Sequence, residues 1–238
     1  MACAAACGGG GGPPFDVRDS ESVTYQAEDG VVIAASWALP PAQARPAVVI
    51  LFHELDGSRD QWDEFIPVLV NEGYAVLTPD LRGSGESTRV VRDGEEELYE
   101  LTDLDDLLLD VAAALQWLDD RSDVDLDRTG LIGAGDGGNL AFVSTAFFPE
   151  VKTAIAMSPT PYNEDGPLVG NNIPDFLPHD VFFVAGGREA WINAVSLAIR
   201  VAGTVDGGPY ADETVQGVAL LAEDDVLRDM LAWLEEHL

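Results

Sequence analysis

The feature that most restricts the fold is an alternation of short apolar runs with longer segments of helical spacing. Val48-Val-Ile-Leu-Phe52, Tyr74-Ala-Val-Leu-Thr78, Gly130-Leu-Ile-Gly133, Thr153-Ala-Ile-Ala-Met157 and Val181-Phe-Phe-Val-Ala185 are each about one strand long and lack a polar face. Runs of this kind fit strands buried on both sides. Helical spacing fills the gaps at 62–71, 104–118 and 139–148, and a last helix is expected over 222–237. Asp103, Asp105 and Asp106 stand at the positive end of the second of these helices. Strand and helix in alternation imply a parallel sheet covered by helices on both faces. Ahead of it, Ser22–Gln26 and Val31–Trp37 flank Glu28-Asp29-Gly30, whose Asp-Gly pair marks a hairpin. About seven or eight strands are expected in all. The Gly-rich stretch from Val201 to Tyr210 shows little strand pattern, so the sheet edge should be eroded there.

This pattern reads as one α/β domain over residues 20–238, preceded by a flexible Cys- and Gly-rich segment over 1–19. The chain carries 43 acidic against 12 basic side chains, a formal net charge of −31. Such a surface repels phosphates, which excludes nucleic acid as a partner. Two readings of the acidity stay open: adaptation to high salt, where counterions screen close carboxylates, and the codon bias of a GC-rich genome. Neither bears on the reaction. Both cysteines, Cys3 and Cys7, lie in the first segment, so the folded body has no disulfide and no cysteine nucleophile. Small residues ending in cysteine, then a glycine tether, resemble the end of a bacterial lipoprotein signal. That resemblance makes Cys3 and Cys7 candidate lipidation positions and the cell envelope a candidate location, with the membrane reached only through the lipid. The charged and apolar stretch that should precede the cysteine is absent from the sequence.

Three motifs carry a family resemblance. Leu51-Phe-His53-Glu54-Leu55-Asp-Gly57 looks like the His-Gly oxyanion loop that follows the third strand of α/β-hydrolases. Asp80-Leu-Arg82-Gly83-Ser-Gly85-Glu-Ser87 is similar to that superfamily's Asp-x-Arg-Gly-x-Gly-x-Ser turn. Gly130-Leu-Ile-Gly-Ala-Gly-Asp-Gly-Gly-Asn-Leu-Ala141 resembles its strand, nucleophile elbow and helix. In this order they mark an α/β-hydrolase fold without a large cap, most similar to the small esterase and dienelactone-hydrolase-like branches.

The resemblance implies a nucleophile, an acid and a histidine in that order, and the chain departs from it at two of the three. The elbow reads Gly133-Ala-Gly135-Asp136-Gly137, which puts Gly135, with no attacking atom, at the nucleophile position. Asp136 is the alternative, since aspartate serves there in relatives that open epoxides or displace halide. That role slides the frame by one residue; the competing role is a solvated or capping carboxylate at the next helix. Thr214-Val-Gln216-Gly-Val-Ala-Leu-Leu221 resembles the histidine loop with Gln216 in the histidine's place. Glutamine cannot take and return a proton near neutral pH. Glu189, after Val184-Ala-Gly-Gly-Arg, falls at the acid position. Of the three histidines, His53 belongs to the oxyanion loop, His179 precedes the acid strand and His237 ends the last helix. Glu54 replaces the glycine expected after His53, and a carboxylate there opposes oxyanion stabilisation. The expectation is a non-catalytic member with no cofactor implied. Two readings of its old cleft stay open: a retained site for a small-molecule or protein ligand, and a fold that holds no ligand. The alternative is an active hydrolase built around Asp136, His53 and Glu54. These three lack an established metal-ligand spacing.

Overall fold

A computed structural model describes residues 14–41, 44–160, 180–198, 204–211 and 214–238. Cys3, Cys7 and His179 lie outside the described residues, as does the side chain of Glu189. The strands are β1 (Glu21–Gln26), β2 (Val31–Ala38), β3 (Ala47–Phe52), β4 (Ala75–Pro79), β5 (Arg89–Arg92), β6 (Glu95–Leu98), β7 (Asp125–Ala134), β8 (Val151–Met157), β9 (Val181–Gly186) and β10 (Val205–Ala211). They form one ten-stranded sheet in the order β10-β9-β8-β7-β3-β4-β2-β5-β6, with β1 beside β2. From β10 to β4 every neighbouring pair is parallel, and the β1, β2, β5 and β6 pairings are antiparallel.

The helices are α1 (Ile66–Asn71), α2 (Leu107–Asp119), α3 (Asp136–Phe147), α4 (Gly187–Ala198) and α5 (Asp224–His237). Period-two alternation along β3 shows how they clothe the sheet. Val48, Ile50 and Phe52 face a core shared with Leu107 and Val111 of α2 and Leu140 of α3. Val49 and Leu51 face the other way, into a core shared with Leu69 of α1 and Val226 and Met230 of α5. All five side chains are fully buried, which is why the run has no polar position. Phe15 and Val17 pack against the second of these cores, and the Phe15 N–H donates to Asn71 Oδ1 at 3.1 Å, so contact with the domain begins ahead of residue 20.

Two expectations need correction. Among the described residues the sheet has ten strands rather than seven or eight, because a hairpin of β5 and β6 turning at Asp93-Gly94 extends one edge. The other edge is not eroded: Val205–Ala211 forms β10, parallel to β9. An edge strand pairs on one side only, so its backbone can hold it in the sheet despite Gly207, Gly208 and Pro209, and proline is tolerated there.

Candidate active-site cleft

The cleft is built where β7 turns into α3. Gly135 caps the helix at φ 58° and ψ −123°, so its backbone is in the left-handed half of conformational space. The turn is tight because its neighbours have no side chains. A Cβ on Gly133 would lie 1.9 Å from the Gly137 carbonyl oxygen, and one on Gly137 would lie 2.4 Å from the Phe52 oxygen. The structure therefore puts Gly135 at the apex, with Asp136 as the first residue of α3. The Asp136 carboxylate accepts from the Thr160 hydroxyl at 2.8 Å, and Thr160 accepts in turn from the Asn139 amide at 2.6 Å. This chain ties the end of β8 to the first turn of α3.

The side chain that covers Gly135 is Glu54. A Cβ on Gly135 would come within 3.1 Å of Glu54 Cγ, and one on Gly217 within 1.8 Å of Glu54 Oε1. Glu54 thus lies between the apex and the loop that bears Gln216. Gly217 has φ 57°, and its N–H donates to Ser158 Oγ at 2.9 Å, which seats that loop at the end of β8. Gln216 itself is exposed and makes no capping hydrogen bond to the 3-10 turn that follows. Burial, then the charges of Asp56 and Asp136, push the Glu54 carboxyl above its usual range. The sequence motif placed Glu54 in the oxyanion loop; that its side chain reaches over the apex is visible only in the fold.

His53 is fully buried, and backbone groups occupy both its nitrogens. The Leu81 N–H donates to Nε2 at 2.9 Å, so the proton sits on Nδ1, which is 2.6 Å from the Glu54 carbonyl oxygen. Burial holds this imidazole below its ordinary pKa. It is a neutral strut beneath the loop, with no lone pair free for acid–base work or a metal. His237 stacks on Trp233, whose indole N–H donates to Thr153, the partner of Gly130 in the sheet. Gly130 lies five residues before Gly135, about 16 Å along the strand. His237 is therefore at the opposite end of the sheet from the apex. Glu189 is the third residue of α4, directly after β9. Among the described residues no group of histidine, cysteine and carboxylate side chains has the arrangement to hold a metal ion.

Two arginines hold the surrounding loops. Arg59 Nη1 and its backbone N–H donate to the buried Asp80 at 2.6 and 2.8 Å, and its other terminal nitrogen pairs with Glu86. Arg82 has no exposed surface; it donates to Asp110 from Nε at 2.7 Å and from its backbone N–H at 2.8 Å, and to Asp29 from Nη1 at 2.8 Å. The Asp-x-Arg-Gly turn is thus a structural clamp. Asp110, the partner it needs, is a helix residue that carries no sequence motif.

A parallel sheet clothed on both faces, with a left-handed apex between a central strand and its helix, defines an α/β-hydrolase. Comparison with known proteins narrows the class. Residues 33–197 match the model of the dienelactone hydrolase family, more than half of the chain, and the protein belongs to that family. A bifunctional esterase/perhydrolase of Acinetobacter calcoaceticus is 33% identical over 143 residues, 58% of this chain and 45% of that protein. Bifunctional epoxide hydrolase 2 of Sus scrofa is 27% identical over 179 residues, 64% of this chain and 30% of that protein. The chain thus spans less than half the length of either relative. Among solved structures, the Pyrococcus furiosus esterase Pf2001 superposes with a TM-score of 0.74 at 19% identity, covering 96% of this chain and 97% of that one. Acetyl xylan esterase 1 from Thermoanaerobacterium superposes with a TM-score of 0.65 at 15% identity, covering 94% and 86%.

Proposed function

We propose that this member of the dienelactone hydrolase family does not turn over esters and uses its cleft for binding alone. The observation that carries this reading is the apex itself. The backbone keeps the strained turn that presents a nucleophile, and the residue presented is a glycine with no side chain. Ester hydrolysis of the kind named for the Acinetobacter and Pyrococcus proteins requires a nucleophile and a base that cycles a proton. Gln216 cannot cycle one, His53 has both nitrogens committed to backbone, and His237 stacks on Trp233 near the far end of the sheet. Triad groups act as a unit, so losing nucleophile and base together leaves only binding and backbone dipoles. Asp136 is the remaining carboxylate at the turn. It is engaged by Thr160 and lies within α3, one residue past the apex.

The test is incubation of the purified protein with a fluorophosphonate probe and a panel of short acyl esters. It should be run in low and high potassium chloride, with folding checked by circular dichroism, because a net charge of −31 favours unfolding by self-repulsion in dilute buffer. The expected result is no labelling and no turnover above the buffer rate. Turnover that disappears in Asp136→Asn or in His179→Gln would overturn the reading.

A further inference from the structure

A groove of about 520 Å³ opens between the start of α1 and the start of α5, on the face of the sheet that carries these two helices. Phe65, Val68, Val218, Leu221 and Leu227 give it an apolar lining. Asp60, Asp63 and Glu64 stand along one side, and among the described residues no lysine or arginine lines it. The nearest cation by sequence, Arg59, is committed to Asp80 and Glu86. Burial and the adjacent Asp60 push the Asp63 carboxyl above its usual range, against a weaker opposing pull from Arg59. Asp60, Asp63 and Glu64 are exposed at the edge of the groove, and among the described residues none of them forms an ion pair, Arg59 acting on Asp60 and Asp63 only at longer range.

We propose that this groove is a binding site for an organic cation with an apolar body, a single ammonium group carried on an aryl-alkyl chain. The apolar lining removes the chain from water, and the acidic side receives the ammonium. The same side repels a carboxylate or phosphate of the same shape. The volume falls within the range of about 300–1,000 Å³ that small-molecule sites occupy. The groove shares loops with the elbow without opening onto it. Gln61 lines the groove and accepts the Glu54 N–H at 3.1 Å, and Val218 follows Gly217. Binding here does not depend on loss of turnover at Gly135.

A chain this acidic attracts any cation diffusely, so the test separates the groove from the general surface. Calorimetric titration with 4-phenylbutylammonium chloride is run in 1 M potassium chloride, where the Debye length is about 3 Å. One saturable site is expected, with 4-phenylbutanol binding about tenfold more weakly and 4-phenylbutyrate not at all. Asp63→Asn combined with Glu64→Gln should weaken the ammonium by about tenfold. Removing the same number of charges from the exposed edge strand, with Glu95→Gln and Glu97→Gln, should leave affinity unchanged. Val218→Trp, which fills the groove, should abolish binding in protein whose folding is confirmed by circular dichroism. The proposal fails if no saturable binding is seen. It fails equally if both pairs of charge removals weaken binding alike, if the alcohol binds as well as the ammonium, or if folded Val218→Trp still binds.

Discussion

Returning a serine to the apex should destabilise the protein, and the structure sets the size of the effect. Gly135 sits at φ 58° and ψ −123°, a region where a residue with a Cβ costs about 1–3 kcal/mol. The turn cannot relax to relieve that cost, because Gly133 and Gly137 already lie against the Gly137 and Phe52 carbonyl oxygens. The new Cβ would also meet Glu54 Cγ at 3.1 Å, so the Glu54 side chain must give way by a few tenths of an ångström. Gly135→Ser should therefore cost about 1–3 kcal/mol, with a fall in Tm of about 2–12 °C for a domain of this size. Scanning calorimetry and urea unfolding in high salt give the two measures. Adding Glu54→Ala should recover the contact part of the loss and leave the backbone part. A Gly135→Ser protein as stable as the parent would refute the argument, since it would mean that the apex is not held where the structure puts it.

Three further outcomes follow from the same geometry. Gly135→Ser with Gln216→His should react with a fluorophosphonate only when Glu54→Gly is added, because Glu54 otherwise fills the space over the apex; labelling of the double variant alone would show that Glu54 is not an obstacle. Glu54→Gln should leave stability unchanged below the ordinary glutamate value of 4.5 and increase it as pH rises above that value. A raised folded-state pKa contributes stability at low pH that is lost as the carboxyl ionises, so a variant whose advantage shrinks between pH 4.5 and 7 would contradict the direction assigned to Glu54. Asp110→Ala should cost about 3–5 kcal/mol in urea unfolding by leaving the buried Arg82 guanidinium short of a partner, whereas Arg82→Met with Asp110→Leu should cost much less; equal losses would mean that packing, not the uncompensated charge, sets the penalty.

The parts of the fold legible in the sequence are those whose stability comes from burying both faces of a segment. β3 and β9 are continuous apolar runs, and β7 and β8 carry one in their second half, because each touches a helical layer above and below. The buried Thr129 and Thr153 are tolerated because their hydroxyls donate to backbone carbonyls. The strands that escaped notice hold their positions by other means. β10 has a glycine pair and a proline and relies on backbone pairing to β9, while β6 is three glutamates and a leucine, all exposed. Edge strands carry charge to discourage further pairing, which erases the pattern that would reveal them. At the cleft, the glycine spacing made the apex readable, since only residues without side chains satisfy two backbone contacts at once. The reach of Glu54 over that apex was not readable, because it depends on how a loop after β3 meets a loop before α5.

The same division runs through the charges, and it explains why a uniform acidic composition conceals distinct roles. With 12 basic side chains against 43 acidic ones, most carboxylates go without a cation. Several arginines pair at the surface, as Arg18 does with Asp16 and Arg228 with Asp229, and two serve carboxylates whose burial makes an unpaired charge costly. Arg82 goes to the fully buried Asp110 and Arg59 to the nearly buried Asp80, both on the loops that frame the cleft. Among the described residues Asp60, Asp63 and Glu64 form no ion pair beside the apolar groove, and Glu54 forms none over the apex. A carboxylate on open surface tolerates this because water and salt screen it. Glu54 and, to a smaller degree, Asp63 are partly withdrawn from water and are held above their usual range, a cost that a bound cation would remove. Glu54 is therefore the carboxylate at the cleft whose ionisation responds most directly to a charge placed over the apex, and the arginine-clamped Asp80 and Asp110 are the ones whose loss bears on the fold.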